Sequence, residues 1–217
     1  MLLITLGLPG AGKGAIARKL KSFFNFQIVA TGEILRDAIA EGNALGERVK
    51  DQVLAGDFID DQLAFELVKD LLDSKMDIVM DGFPRNIAQA KALEDYLEHQ
   101  GRRIDAVLFF DVDEEHMKQR LEGRRVCPNC HAVYHAINFP AKDGAHCDSC
   151  GTEITTRIDD TPENITHRVA GFNLSTASLL EYYEDLGLLN TIDADQSTMD
   201  MYYQVLETSQ HFTNRNF

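Results

Sequence analysis

Apolar and polar positions alternate along this chain in blocks. Met1 to Leu6 is a short apolar run that stops at Gly7. Beyond the glycine-rich stretch that follows, Ile16, Ala17 and Leu20 recur at helical spacing and carry the pattern to Phe23 and Phe24. This predicts a buried strand, a tight turn and the start of a helix. Gln27 to Ala30 is a short extended stretch. Thr31 is placed to cap a helix through Ala40, with Glu33 in its first turn and Gly42 at its end. Ala44 to Leu54 is a second helical stretch closed by Gly56, and Asp60 or Asp61 starts a third whose Leu63, Leu67, Val68 and Leu71 share a face.

Asp77 to Asp81 reads as another buried strand running into the loop Gly82-Phe83-Pro84-Arg85. Asn86 caps a helix to Gln100, stopped by Gly101. Ala106 to Phe110 is an apolar strand, and Asp113 caps the helix that ends near Gly123. Thr161 and Pro162 open one long helix to about Leu186, ended by Gly187. Leu188 to Ile192 is a last strand, and Ser197 caps a terminal helix. Strands that are apolar throughout and alternate with helices imply an α/β fold, a parallel sheet covered on both faces. Residues 124–158 break that rhythm with turn residues and short β-like pieces.

Composition narrows the class. The 217 residues suffice for one sizeable core with small insertions, and 44% apolar content excludes general disorder. A net charge of −14 argues against non-specific attachment to nucleic acid or anionic membrane. The N-terminal apolar run is too short for a signal peptide or a span, so a cytoplasmic chain is expected.

Three groups of residues carry chemistry. Gly7, Gly12 and Lys13 fit a phosphate-binding loop: a first Gly, four residues, then Gly-Lys, between strand and helix. Small residues let backbone N–H groups converge on an anion, the helix N-terminus adds partial positive charge, and Lys13 adds a full one. The template's Ser or Thr is missing, since Gly14 and Ala15 follow. Asp81 closes a buried strand beside a loop glycine, a place suited to holding Mg²⁺ through water. Arg36, Arg85, Arg120, Arg124, Arg157 and Arg168 lie near loops of an acidic chain, and arginine forks match phosphate oxygens. Finally, Cys127 and Cys130, then Cys147 and Cys150, form two Cys-x2-Cys knuckles. They predict a closed, tetrahedral, structural Zn²⁺ site rather than disulfides, with His131, His135 and His146 as surface or neighbouring residues.

Together these motifs resemble adenylate kinase of the long type with a zinc-bearing lid. The resemblance runs over nearly the whole chain: Gly7 to Gly14, Ala30-Thr31-Gly32-Glu33 followed by Arg36, Asp81 to Arg85 followed by Gln89, Gly123 to Cys127, Arg157 to Asp160, and Arg168. It implies a three-layer α/β/α P-loop nucleotide kinase core formed by 1–29, 60–123 and 162–217. An AMP-binding segment at 30–59 and a lid at 124–161 complete the layout, as a monomer. It implies phosphoryl transfer from MgATP to AMP giving two ADP. By carry-over, Gly10, Ala11, Gly12, Lys13, Gly14, Ala15, Arg120, Arg124 and Gln196 hold ATP. Thr31, Gly32, Arg36, Asp57, Phe58, Ile59, Gly82, Phe83, Pro84, Arg85, Gln89, Arg157 and Arg168 hold AMP, with Gln89 reading the adenine edge. Lys13, Arg85, Arg124, Arg157 and Arg168 surround the transferring phosphoryl group.

Three positions depart from the family pattern: Ala15 for Thr, Glu33 for Asp and Ala194 for Gly. Ala15 removes a hydroxyl expected on a nucleotide phosphate, so a catalytically weakened nucleotide-binding protein of the same fold is the alternative. A pyrimidine nucleotide kinase and a nucleic-acid-binding zinc module are further rivals. Gln89 and the Cys-bearing lid disfavour the first, and the acidic charge disfavours the second.

Overall fold

The computed structural model describes residues 1–208, so the stretch 209–217 of the expected core lies outside the described residues. The first apolar run forms β1 (Leu2–Gly7), buried at every position. It is the middle strand of a five-stranded sheet. On one side lie β3 (Ile78–Asp81) and then β2 (Gln27–Ala30); on the other lie β4 (Ala106–Asp111) and then β7 (Leu189–Asp193). All four pairings are parallel.

Both faces of this sheet are covered, and the pleat divides the core in two. Leu2, Ile4, Leu6, Ile78, Met80 and Val107 pack into one apolar cluster with α2 (Thr31–Glu41), α3 (Ala44–Ala55), α4 (Asp61–Leu72) and α5 (Ile87–His99). Leu3, Val79, Leu108 and Phe110 face the other way, toward α1 (Lys13–Phe24) and α6 (Glu114–Glu122). The alternation is what a strand buried on both faces requires. Between β6 and β7 the chain adds α7 (Pro162–Gly171) and α8 (Ser178–Asp185), and α9 (Thr198–Glu207) ends the described core.

Residues 124–158 build a separate piece. An antiparallel pair, β5 (Arg124–Val126) and β6 (Val133–His135), frames the cysteines. Its buried apolar cluster is only Cys127, Tyr134, Ala141 and Cys147, with Ala132 and Ile154 against it.

Most helix starts follow local chemistry. Asn43, Asp60, Asn86, Asp113, Thr161 and Ser197 each accept a backbone N–H with the side chain. Two expectations fail. Thr31 is the first residue of α2 and not its cap; Ala30 holds that place without a side-chain bond. The Thr31 hydroxyl instead donates to the Gly82 carbonyl at 3.0 Å. The expected single helix to Leu186 is interrupted at Phe172–Thr176, where the backbone widens to a π-turn. Ala177 N–H reaches the Phe172 carbonyl, and the Thr176 hydroxyl donates to the Arg85 carbonyl at 3.1 Å. The widened turn carries Thr176 to the Asp81–Arg85 loop, a use to which such turns are often put.

Candidate active site

Strand order reverses about β1, since the chain leaves it first toward β2 and later toward β4. A crevice opens at the carboxyl ends of the strands at such a point. Gly7 to Gly12 fill that end of β1. Gly7 has φ 138°, and a Cβ there would sit 2.5 Å from the Phe110 carbonyl oxygen of β4. Only glycine permits the close passage that turns the chain into the loop. The loop, α2 and the Cys-bearing insert enclose one cleft of about 1050 Å³.

Lys13 is half-buried, and its ammonium donates to the Gly7 and Leu8 carbonyls at 2.8 Å each. Burial pulls its pKa down to about 8, against the pull of Asp81. Asp81 ends β3 level with Thr5, and its carboxylate lies 3.9 Å from where a Cβ on Gly14 would be. A cation and a carboxylate thus face the same glycine loop.

Arginines gather opposite. Arg124 at the start of β5 bonds Asp160 through Nε at 2.7 Å and Nη2 at 2.5 Å. Arg168 on α7 reaches the same carboxylate at 3.1 Å, and Arg157 binds Asp159 through Nε at 2.9 Å and through Nη2. Arg36 lies 3.7 Å from Asp159. Burial lowers Arg36, Arg85 and Arg124 to about 10, with neighbouring guanidinium groups adding to the effect. For Arg157 burial acts downward, but Asp159 and Asp160 outweigh it and the net shift is upward. Five half-buried guanidinium groups around one cavity, partly neutralised by two carboxylates, form a preorganised site for polyanionic groups.

Arg85 is held by the Gly82 carbonyl at 2.8 Å, and its guanidinium stacks 4.2 Å over the Phe58 ring. Gln89 is buried with both ends of its amide engaged: Oε1 accepts the Arg85 N–H at 2.7 Å and Nε2 donates to Asp61 at 2.7 Å. Asp57 bonds His167 of α7 at 2.6 Å, and Ile59 is buried in the core. Ala30, Gly32, Phe58, Gly82 and Pro84 line the cleft. On the far side of the loop, Arg120 Nη2 donates to the Gln196 carbonyl at 3.4 Å, while its buried Nη1 has no partner among the described residues. Ala15 lines the same cavity, and Ala194 is fully buried.

The four cysteine sulfurs lie within 4.8 Å of one another. The shortest separations are 3.4 Å, far beyond a disulfide bond, and all four are free thiols. Sulfurs about 2.3 Å from a central Zn²⁺ in a tetrahedron stand slightly under 4 Å apart, so the donor set fits that ion. The Tyr134 hydroxyl donates to Cys147 Sγ at 3.4 Å and accepts the Asp148 N–H at 2.8 Å, bracing one ligand. His146 bonds Asp143, and His135 packs against the Gln119 carbonyl, so both stay outside the sulfur cluster.

No sequence motif marks Tyr134, and the acidic pair between Arg157 and Arg168 is the one sequence signal for Asp159 and Asp160.

The adenylate kinase family model matches residues 5–188. The chain belongs to the adenylate kinase family. It is 37% identical to the adenylate kinase of Agathobacter rectalis over 95% of this chain and 98% of that protein. Against the adenylate kinase of a Geobacillus strain the identity is 39%, covering 95% of this chain and 97% of the relative. Against that of Archaeoglobus fulgidus it is 36%, covering 94% and 96%. The parallel sheet between helix layers agrees with an adenylate kinase fold, and no helix among the described residues is long and apolar enough to cross a membrane.

Proposed function

We propose that this protein is an adenylate kinase, transferring a phosphoryl group reversibly from MgATP to AMP to give two ADP. One observation supports the reading above all: the half-buried cations of the phosphate loop, of the insert and of α7 converge on one cleft beside Asp81. Phosphoryl transfer needs positioning and charge compensation more than covalent help from the protein.

In this reading the amides of Gly10 to Ala15 and Lys13 hold the ATP phosphates, with Lys13 exchanging the Gly7 and Leu8 carbonyls for phosphate oxygens. Asp81 would hold Mg²⁺ through water; the ion supplies charge neutralisation at the phosphates. Arg124 and Arg157 exchange carboxylate partners for phosphate oxygens in the same bidentate geometry, and Arg168 exchanges its single Nη1 contact. Arg120 and the Gln196 backbone bound the ATP base. Arg36 and Arg85 hold the AMP phosphate, while Thr31, Gly32, the backbone at Asp57 to Ile59, and Gly82 to Pro84 shape the AMP pocket. Gln89 keeps one amide N–H and one lone pair for the adenine edge, because Asp61 and the Arg85 N–H fix which end of the amide is which. The segment 30–59 and the lid 124–161 close on the core 1–29, 60–123 and 162–217, excluding water so that AMP receives the phosphoryl group. Zn²⁺ at Cys127, Cys130, Cys147 and Cys150 stiffens the lid. The enzyme acts as a cytoplasmic monomer. Its charge of −14 supports a reading without nucleic-acid or anionic-membrane partners.

A coupled assay of ADP formation from ATP and AMP tests this, with CMP and UMP as competing acceptors. ADP formed only with AMP supports the reading. ATP binding without phosphoryl transfer would instead indicate the weakened nucleotide-binding protein that Ala15 raises.

A further inference from the structure

Among the described residues, two without a glycine backbone adopt positive φ: Asn25, which ends α1, and His131, at φ 58°. A Cβ makes the left-handed region unfavourable, and glycine would take it without cost. His131 follows directly on the first cysteine knuckle, so a turn that glycine could make carries a large side chain. That side chain leaves its own turn. Its Nε2 lies 3.3 Å from a carboxylate oxygen of Asp37 on α2, across the cleft that both residues line.

Two close nitrogen–carboxylate contacts join residues 124–161 to α2 among the described residues. Arg36 and Asp159 meet at 3.7 Å, within the arginine cluster. His131 and Asp37 meet at the knuckle, half-exposed, and touch none of the clustered arginines. The first contact must loosen when phosphate enters, because Arg36 is needed there. The second competes with no substrate group.

We infer that His131 is a positioning residue whose contact with Asp37 latches the insert shut against α2 while the cleft is filled. The latch rests on the adenylate kinase reading, since it needs two nucleotides bound between the parts it joins. It adds stability to the closed form and leaves the chemistry to other residues.

The test uses the metal-loaded full-length enzyme and a compound of two adenosines joined by five phosphates, long enough to occupy both nucleotide sites. Its Kd is measured for wild type, His131→Gly, Asp37→Asn and the double variant. An exposed pair predicts a loss of about two- to fivefold for each single variant, and no further loss in the double. His131→Gly should leave Tm unchanged or raised because it relieves the left-handed backbone, which separates loss of the latch from damage to the fold. His131→Asn, which tolerates the same backbone with a side chain too short to reach α2, should match His131→Gly. Unchanged affinity in the single variants, or losses that simply add in the double, would overturn the latch. If the wild type does not bind the compound, the functional reading falls and the latch with it; binding without coupling removes the latch alone.

Discussion

The core and the Cys-bearing insert reach order by opposite means. The core buries two apolar clusters on the two faces of one sheet. The insert buries almost nothing beyond two cysteines, a tyrosine and an alanine, and leaves Ile137 81% and Phe139 64% exposed. A piece this small cannot bury enough apolar surface to order itself. Its four cysteine sulfurs lie together in a geometry that would accept a metal, and arginine–carboxylate contacts tie its base to α2 and α7. The difference suits a moving part. Apolar burial would fix the insert in place, whereas ionic contacts can be exchanged for substrate phosphates and then restored.

Removing the metal breaks this comparison most severely. Chelation should unfold the insert and leave the sheet intact, because structural Zn²⁺ contributes directly to folding where no core does. Arg124 and Arg157 would then lose their placement, and activity should fall by at least about a thousandfold, the scale on which arginines act in phosphoryl transfer. Circular dichroism should retain most of the helix signal. Loss of the core's signal at the same chelator concentration would show that the two regions are not independent. Next in size is Lys13→Met, which spares both regions as folds. It should cost about 10²–10³ in kcat, as losing a preorganised charge-stabilising donor does, without lowering Tm. Desolvation makes the ammonium costly to hold, so a lower Tm would show that its two carbonyl contacts outweigh that cost.

What was legible in the residues follows the same division. Asn86, Asp113, Thr161 and Ser197 could be read as caps because each bonds an N–H two or three residues on. The all-apolar strands could be read because burial on both faces leaves no alternation. The cysteine knuckles could be read because the ligand spacing is local. Thr31 and the break at Phe172–Thr176 could not. Their hydroxyls are claimed by Gly82 and Arg85, far along the chain, and nothing nearby announces it. The arginines were visible as candidates from their number. The acidic pair Asp159-Asp160 stands beside Arg157 in the chain, but which arginine each carboxylate holds depends on side-chain geometry that residue order does not give.

Ala15 sharpens the comparison inside the core, where the fold is complete and one contact is missing. Ala15→Thr should raise kcat/KM for ATP by about 10- to 100-fold, the value of a hydrogen bond to a charged group, with Tm nearly unchanged. Steady-state kinetics at fixed AMP measure it. Equal or lower activity would show that the backbone amides and Lys13 already satisfy the phosphate.

The smallest effect at neutral pH, and the most diagnostic, is the titration of Lys13. Its pKa of about 8 lies below the ordinary 10.5 because burial disfavours the ammonium more than Asp81 favours it. Below pH 8 the group is charged and can bind phosphate; above it the charge is lost. The value of kcat/KM for MgATP should therefore be nearly flat to about pH 7, fall about fivefold from pH 8 to 9, and approach a tenfold fall per unit above that. Stability should move the other way. Between the folded and unfolded pKa values the unfolded chain binds more protons, so this group's contribution to stability rises with pH. Activity that falls while Tm holds or rises identifies the buried ammonium. A parallel fall would mean that alkali opens the core. In Lys13→Met the residual rate should lose this slope, and a slope that survives would place the titrating group elsewhere in the cleft.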